Sequence, residues 1–446
     1  MRRVLLIAFA YPPVQIIGSV RPAALAKYLP QSGWEAVVLT PERPGSRRQS
    51  DLVIETGYRD VLTDWKARLG LGGEKGIHEQ FGLRTATQPG APLLHTRALD
   101  FAKYLLTYPD THKGWIPFAL AAIQTVRSQN LDIAAIVTTS PPITSHLVGR
   151  RAKTILGCPW IADFRDLWTQ NMGERTPQFF QVGLEKRTLK HADALVTVSE
   201  PWAQRLQRRY SGKKIYSIPN GFDPDDYGSP APPLTDEFSV TYTGQLYEGQ
   251  RDPTMLFQVV RELIGAGRIA ARDLRIRFYG DIEPWLPRLV AKYGLEPIVE
   301  LKGPRPRHEV MERQRESQIL LLLPWSDPRE TGHHSAKLFE YLAAGRPVLA
   351  VGGSRGVLTQ SLEETGAGVH GLSSDAVREF LLTSYAEFKQ SGRVSYSGNP
   401  RAIEHYSHPQ MARRFAQVLD SVASGPVSKT SHTEVTLQAN LPKHTV

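Results

Sequence analysis

Short apolar runs without polar alternation recur along this chain, with room for a helix between successive runs. Residues 4–10, 36–40, 133–137, 160–162, 194–198 and 215–218 form the series in the first half. Residues 240–243, 276–279, 299–301, 319–323 and 348–351 form it in the second, with a further strand near Val369. Runs of this kind read as parallel strands covered by helices on both faces. Helical spacing fits between them, at 22–29, at 201–210, from about Pro253, near Leu358 and at 376–389. Residues 408–422 carry Met411, Phe415, Val418 and Leu419 on one stripe. The alternation predicts an α/β protein of two Rossmann-like, doubly wound domains facing across a cleft.

Length supports that division, because 446 residues exceed what one ordinary core encloses. The expected boundaries are a first domain at 1–222, a Pro- and Gly-containing linker at 223–236, and a second domain at 237–402. A last helix at 403–423 is expected to cross back to the first domain, and a tail at 424–446 lacks periodicity and reads as disordered. Segments 43–48, 70–76 and 85–92 read as loops. The stretch around Phe101, Lys103, Leu105, Leu106, Trp115 and Phe118 reads either as a helical cap or as a lipid-docking surface. No repeat of 20 to 50 residues is visible.

A composition of 41% apolar and 22% charged residues is that of a folded, soluble chain. The single cysteine, Cys158, excludes an internal disulfide, suits a reducing, cytoplasmic setting and reads as a small core residue. No apolar run approaches the roughly 18 residues needed to span a bilayer. The opening Met1-Arg2-Arg3 and the apolar run after it resemble a signal start, but Tyr11-Pro12-Pro13 interrupts them, so a buried strand is expected. A net charge of +10 favours an anionic partner: nucleic acid, anionic lipid or a phosphorylated substrate. Arg205, Arg208 and Arg209, with Lys213 and Lys214, make a basic face, read as solvated or as a contact for anionic membrane.

The densest candidate chemistry lies at residues 335–353. Ser335 and Ala336 leave the start of a helix open, so its first N–H groups can meet an anion. Lys337 adds a full positive charge there. Leu338, Tyr341 and Leu342 share the buried stripe, and Glu340 can accept two hydrogen bonds from a sugar diol. Gly345 ends the helix before the strand at 348–351. Phosphate at the helix start and ribose one turn on describe a sugar-nucleotide site. An ordinary helix–strand unit has the same spacing.

This stretch resembles the signature of the family 4 retaining glycosyltransferases, which have the GT-B fold. The resemblance implies that Lys337 contacts donor phosphate, with Ser335 and Leu338 beside it. Glu340 would hold the donor ribose as the second glutamate of an E-x7-E pair. The first would fall at position 332, which is Gly332 here, so the usual sugar-ring contact lacks its carboxylate. Glu330 stands two residues off register and replaces it only if the loop bends differently. Gly244 and Gln245 resemble the family's G-x-L phosphate loop with its first basic position lost, and Arg251 lies close to the second. The loop after Gly303 is where relatives stack the nucleoside base.

In the first half, the Pro12-Pro13 loop ending in Gly18 resembles the family's loop between acceptor and donor, although Gly18 also suits a plain turn. The run Asp163-Phe164-Arg165-Asp166 with Trp168 resembles a DFRD-containing subgroup that builds bacterial surface polysaccharides. Many of its relatives have histidine at position 165, but Arg165 cannot act as a base at neutral pH. Asp166 is therefore the candidate acceptor-side carboxylate, with Arg165 to orient it or bind phosphate. A salt bridge that only organises the loop is the alternative. His146 and His191 read as packed or surface residues. The Asp223-x-Asp225 motif follows no suitable strand pair and is not read as a metal site.

The resemblance implies sugar transfer from a UDP- or GDP-sugar to a carbohydrate or lipid-linked acceptor, retaining the anomeric configuration. It implies no metal and no cofactor, Asp166, Arg165, Arg251 and Lys337 as the catalytic set, and a cytoplasmic location with contact at the inner face of the plasma membrane. Two other readings are a sugar-nucleotide epimerase on the same fold and a basic nucleic-acid-binding protein. The second is disfavoured because the basic residues are dispersed and no binding module is present.

Overall fold

In a computed structural model, the described residues are 1–14, 16–42, 52–68, 104, 106–170, 178–327 and 330–423. The expected loops at 43–48, 70–76 and 85–92, the residues Phe101, Lys103 and Leu105, and the tail at 424–446 fall outside them. The chain forms two compact units. One comprises Met1–Thr197, Leu206–Tyr216 and the chain from Ala412, and the other comprises Val198–Arg205 and Ser217–Met411.

The first unit is built on seven strands: β1 (Arg2–Ala8), β2 (Trp34–Pro41), β3 (Val53–Thr56), β4 (Ile133–Ser140), β5 (Trp160–Phe164), β6 (Ala194–Thr197) and β7 (Lys214–Ser217). They lie in the order β3-β2-β1-β4-β5-β6-β7. The second unit has β8 (Phe238–Thr243), β9 (Leu274–Tyr279), β10 (Val299–Gly303), β11 (Ile319–Leu322), β12 (Val348–Val351) and β13 (Gly368–Gly371), in the order β10-β9-β8-β11-β12-β13. Neighbours such as β1 and β4, or β8 and β11, run parallel. Both units are therefore Rossmann-like. Strand order reverses between β1 and β4 in one and between β8 and β11 in the other. Loops leaving the two central strands part there, which is where doubly wound sheets hold ligands.

The apolar runs lack alternation because each sheet is covered twice. On one side of the second sheet, Val240, Tyr242, Ile276, Phe278, Leu321 and Leu349 pack with Leu256, Phe257 and Val260 of the helix Thr254–Gly265. On the other side, Leu320, Leu322, Val348 and Ala350 pack with Leu338, Tyr341 and Leu342 of the helix Ala336–Ala344. Full burial of a leucine side chain contributes about 1.5–3 kcal/mol. That is why adjacent residues of one strand are all apolar.

The first strand is buried from Val4 to Ala8, as its apolar run predicts, and Cys158 is buried, with burial pushing its thiol up to about 12. Among the described residues no helix is long and apolar enough to cross a membrane. His146 is a core residue. Its Nδ1 lies 2.7 Å from the Thr138 hydroxyl, and burial lowers its pKa to about 3, so the ring is neutral. The last helix, His408–Val422, buries Met411, Phe415, Val418 and Leu419. From Ala412 it belongs to the first unit, where Asp420 accepts from the Trp34 indole at 3.0 Å and pairs with Arg2.

Two elements escape the hydrophobic pattern. Strand β3, Val-Ile-Glu-Thr, lies at the sheet edge and is only half-buried, and the helix Val61–Arg68 follows it. Strand β5 is longer than its apolar run because Asp163 and Phe164 belong to it. Asp163 is fully buried and takes two hydrogen bonds from Arg21, at 2.9 and 3.0 Å, and one from the Thr139 hydroxyl at 2.9 Å. This acid belongs to the sheet interior and not to an exit loop.

Candidate active site

At the switch point of the second sheet, β8 ends at Thr243 and the chain turns through Gly244 at φ 107°. The loop after it is tightly made. The Tyr242 hydroxyl donates to the Gln245 carbonyl at 2.6 Å, and the Arg251 N–H donates to the Tyr247 carbonyl at 2.8 Å. Gln245 carries no charge and is tied sideways, donating to Asp281 at 3.1 Å and accepting from the Tyr247 hydroxyl at 2.8 Å.

Lys337 enters from the first turn of the helix Ala336–Ala344 and lies against Gly244. A Cβ at Gly244 would stand 2.4 Å from Lys337 Cε and 2.7 Å from its Nζ. The ammonium lies 5.4 Å from the centre of the Tyr242 ring and, among the described residues, has no hydrogen bond or ion pair. Burial, and secondarily Arg251, lowers its pKa to about 8, while Glu340 opposes the shift. Arg251 lies beside the Tyr247 and Trp325 rings, 5.7 and 5.8 Å from their centres, and the two rings meet edge to face. Its Nε is buried without a hydrogen-bond partner. Two neighbouring cations, with no acid joined to either among the described residues, make a ready place for a polyanion.

The helix start adds to this. Ser335 is the buried N-cap, with extended backbone and no side-chain cap bond. The first N–H groups of a helix lack intrahelical acceptors. The Leu338 N–H turns back to the Ser335 carbonyl at 3.0 Å, and its side chain lies wholly in the core. One turn on, Glu340 receives Arg307 Nη1 at 2.7 Å on one oxygen and Gln314 Nε2 at 3.3 Å on the other. The Tyr341 hydroxyl accepts from the Thr243 N–H at 3.1 Å, which fixes this helix to the end of β8. The structure thus brings Gly244, Arg251, Ser335, Lys337 and Glu340 to one end of one sheet.

In the first unit, Arg165 closes the loops leaving β1, β4 and β5. Its guanidinium donates to the carbonyls of Gly18, Pro141 and Ser140, the last at 3.2 Å. A Cβ at Gly18 would stand 2.9 Å from Arg165 Nη1, so the glycine allows this approach. Arg165 is spent on carbonyls, and half-buried Asp166 stands next to it in the chain. The basic face on the helix Glu200–Arg209 is largely engaged within the chain. Arg205 faces Glu330 at 3.6 Å, Arg209 pairs with Glu185 at 3.0 Å, and Lys213 donates to the Lys190 carbonyl at 2.7 Å. In the motif Asp223-x-Asp225, Asp223 accepts from the Asp225 N–H at 3.0 Å. Among the described residues no group of three or more His, Cys, Asp or Glu is placed to hold a metal.

A model of the glycosyl transferase 4-like domain matches residues 18–221. A protein named as a colanic acid biosynthesis glycosyltransferase, WcaL of Escherichia coli (strain K12), is 27% identical over 187 residues. That match spans 39% of this chain and 42% of WcaL's own length. Among solved structures, Anabaena Alr3699/HepE in complex with UDP and glucose superposes over 94% of this chain and 100% of its own, with 14% identity and a TM-score of 0.57. A glycosyltransferase from Rickettsia africae ESF-5 does so over 95% and 99%, with 13% identity and a TM-score of 0.56. Residues 18–221 are similar to the glycosyl transferase 4-like domain, and the fold of the chain is GT-B.

Against the E-x7-E pair of the family 4 glycosyltransferases, the departure at Gly332 has a local cause. A Cβ there would stand 2.3 Å from Trp202 Cδ1, within the second unit. Glu330 does not reach the site in its place, because it accepts from the Trp202 indole at 2.9 Å and from the Gly332 N–H at 3.0 Å. Arg307, Gln314 and Trp325 were not singled out from sequence. Arg307 and Glu340 are separated by 33 residues, and no local spacing links them.

Proposed function

We propose that this chain transfers a sugar from a nucleotide-diphosphate donor to a hydroxyl acceptor, with retention at the anomeric carbon and without a metal. The observation that carries this reading is the convergence of Lys337 and Arg251, neither joined to an acid among the described residues, beside the start of a helix. In the reaction the bond from the anomeric carbon to the diphosphate oxygen breaks and the bond to the acceptor oxygen forms. The acceptor's proton passes to the departing phosphate, so no covalent nucleophile is needed. The negative charge that grows on the leaving group is met by Lys337, Arg251 and the helix N–H groups. Arginine suits its part because its planar fork pairs two phosphate oxygens. Glu340 takes the ribose hydroxyls, and Arg165 holds the Gly18 loop with Asp166 as the acceptor-side carboxylate.

The UDP bound in HepE supports a UDP-sugar, with a GDP-sugar as the other candidate. Similarity to WcaL, named for colanic acid biosynthesis, supports a growing surface polysaccharide, carbohydrate or lipid-linked, as acceptor. Contact with an anionic membrane, at the inner face of the plasma membrane, is supported by the exposed pair Phe179 and Phe180, whose rings lie 4.0 Å apart on the helix that also carries Lys186 and Arg187.

The deciding experiment incubates the protein with UDP- and GDP-sugars, with and without lipid-linked acceptors, and measures nucleotide release and product. Lys337→Ala should lower turnover about 100- to 1,000-fold with the fold intact. Near-normal turnover in that variant, or epimerised sugar nucleotide formed without acceptor, would overturn the reading.

A further inference from the structure

Arg307 opens the helix Arg307–Glu316, directly after the loop that leaves β10. Its guanidinium is shared between two acids far apart in sequence. Nη1 donates to Glu340 Oε1 at 2.7 Å and Nη2 to Asp226 Oδ2 at 3.1 Å. Glu340 is held from its other oxygen as well, by Gln314 Nε2 at 3.3 Å. Gln314 is itself fully buried and anchored, because the same amide nitrogen donates to the Thr243 hydroxyl at 3.0 Å. The Tyr227 hydroxyl reaches the Glu340 carbonyl at 3.2 Å, so the backbone of this turn is pinned too.

Each carboxylate oxygen carries two acceptor positions. Arg307 uses one on Oε1 and Gln314 one on Oε2, which leaves one on each unused among the described residues. A carboxylate fixed in that way matches two neighbouring hydroxyls. A glutamate free to rotate would lose rotamer entropy on meeting them, whereas one already held does not. The ion pair has little to do with the fold. The side chains of Arg307 and Asp226 are 53% and 40% exposed, and pairs that exposed contribute little to stability.

We propose that Arg307, steadied by Asp226 and working with Gln314, is a positioning residue that presets Glu340 for the vicinal diol of the donor ribose. This rests on the reading of Glu340 as the ribose acceptor and adds a residue group whose effect depends on the 2′-hydroxyl. It implies that recognition of ribose over deoxyribose is set partly by Arg307, which need not touch the nucleotide.

The test uses the full chain and isothermal calorimetry with UDP and GDP, each beside its 2′-deoxy counterpart. Arg307→Met should weaken the ribonucleotide about tenfold, roughly 1.4 kcal/mol, and leave the deoxy compound within about twofold. Arg307→Lys should recover part of the loss, and Asp226→Asn should give a smaller loss of the same kind. In turnover assays Arg307→Met should raise the donor KM with little change in kcat. Glu340→Gln should abolish the ribose preference, and adding Arg307→Met to it should cost nothing more. If Arg307→Met weakens ribo and deoxy compounds equally, or neither, while Glu340→Gln removes the preference, the positioning role alone is wrong. If Glu340→Gln leaves ribonucleotide binding unchanged, the ribose reading itself falls and takes this inference with it. Unfolding curves of the variants separate loss of binding from loss of fold.

Discussion

Gly244 and Lys337 compete for one space: a β-carbon on the glycine would stand 2.4 Å from the lysine Cε. The glycine's φ of 107° is also one that side-chain-bearing residues rarely adopt. Replacing it with alanine should push the ammonium away from the loop end. Gly244→Ala is expected to cost about 1–3 kcal/mol in stability from the backbone alone. Donor affinity should fall further than that loss of folded protein explains. Calorimetry with UDP or GDP, compared with urea unfolding, checks this.

Lys337 gives the site a pH dependence of definite sign. In the empty protein its pKa is lowered to about 8 from 10.5, and a bound diphosphate should raise it again. Nucleotide binding should therefore take up close to one proton near pH 9, read as a dependence of the binding enthalpy on buffer ionisation. Affinity should decline as pH rises above about 8. The empty protein shows the opposite linkage, since between about 8 and 10.5 the unfolded chain binds the proton more readily. This group's contribution to stability should thus rise with pH through that window. Lys337→Met should remove both effects.

Arg251 should not be replaceable by lysine. Its fork lies against both Tyr247 and Trp325, and a point charge on a flexible stem neither packs there as a plane nor pairs two phosphate oxygens. Arg251→Lys is expected to reduce kcat/KM for the donor at least about tenfold, since charge-assisted bonds contribute about 1.5–3 kcal/mol. Steady-state kinetics with varied donor measures it.

Restoring the family's first glutamate should fail. In Gly332→Glu the new Cβ would meet Trp202 at 2.3 Å, so the loop must move before the carboxylate can reach a sugar. The variant should lose about 1–3 kcal/mol of stability, as overpacking does, with no gain in activity. Thermal unfolding beside turnover decides, and a stable, faster enzyme would refute the steric account.

The buried pair Arg21 and Asp163 should matter to folding more than to chemistry. Asp163→Ala leaves a guanidinium in the core without its acid, a change that costs about 3–5 kcal/mol. Urea unfolding should show that loss, and the donor affinity of the remaining folded protein should be unchanged.

The strands were legible because both faces of each sheet are covered, which forces unbroken apolar runs such as Val348–Val351. The helix Ala336–Ala344 was legible because its caps and its stripe of Leu338, Tyr341 and Leu342 are local features. Strand β3 was not, since an edge strand buries too little to demand an apolar run. Asp163 was not legible as a core strand residue because its partner Arg21 is 142 residues away.

What the sequence determined by itself is therefore local: two α/β units, their strand series, and the small residues at 244 and 335–336 at the ends of a strand and a helix. What only the tertiary structure decided is which charges meet. Folding gave Lys337 and Arg251 no acid among the described residues, gave Arg165 to three carbonyls, turned Glu330 toward Trp202, and set Arg307 on Glu340. The reason is physical. Burial patterns are written into neighbouring residues, whereas a charge finds its partner across whatever distance the chain has folded away.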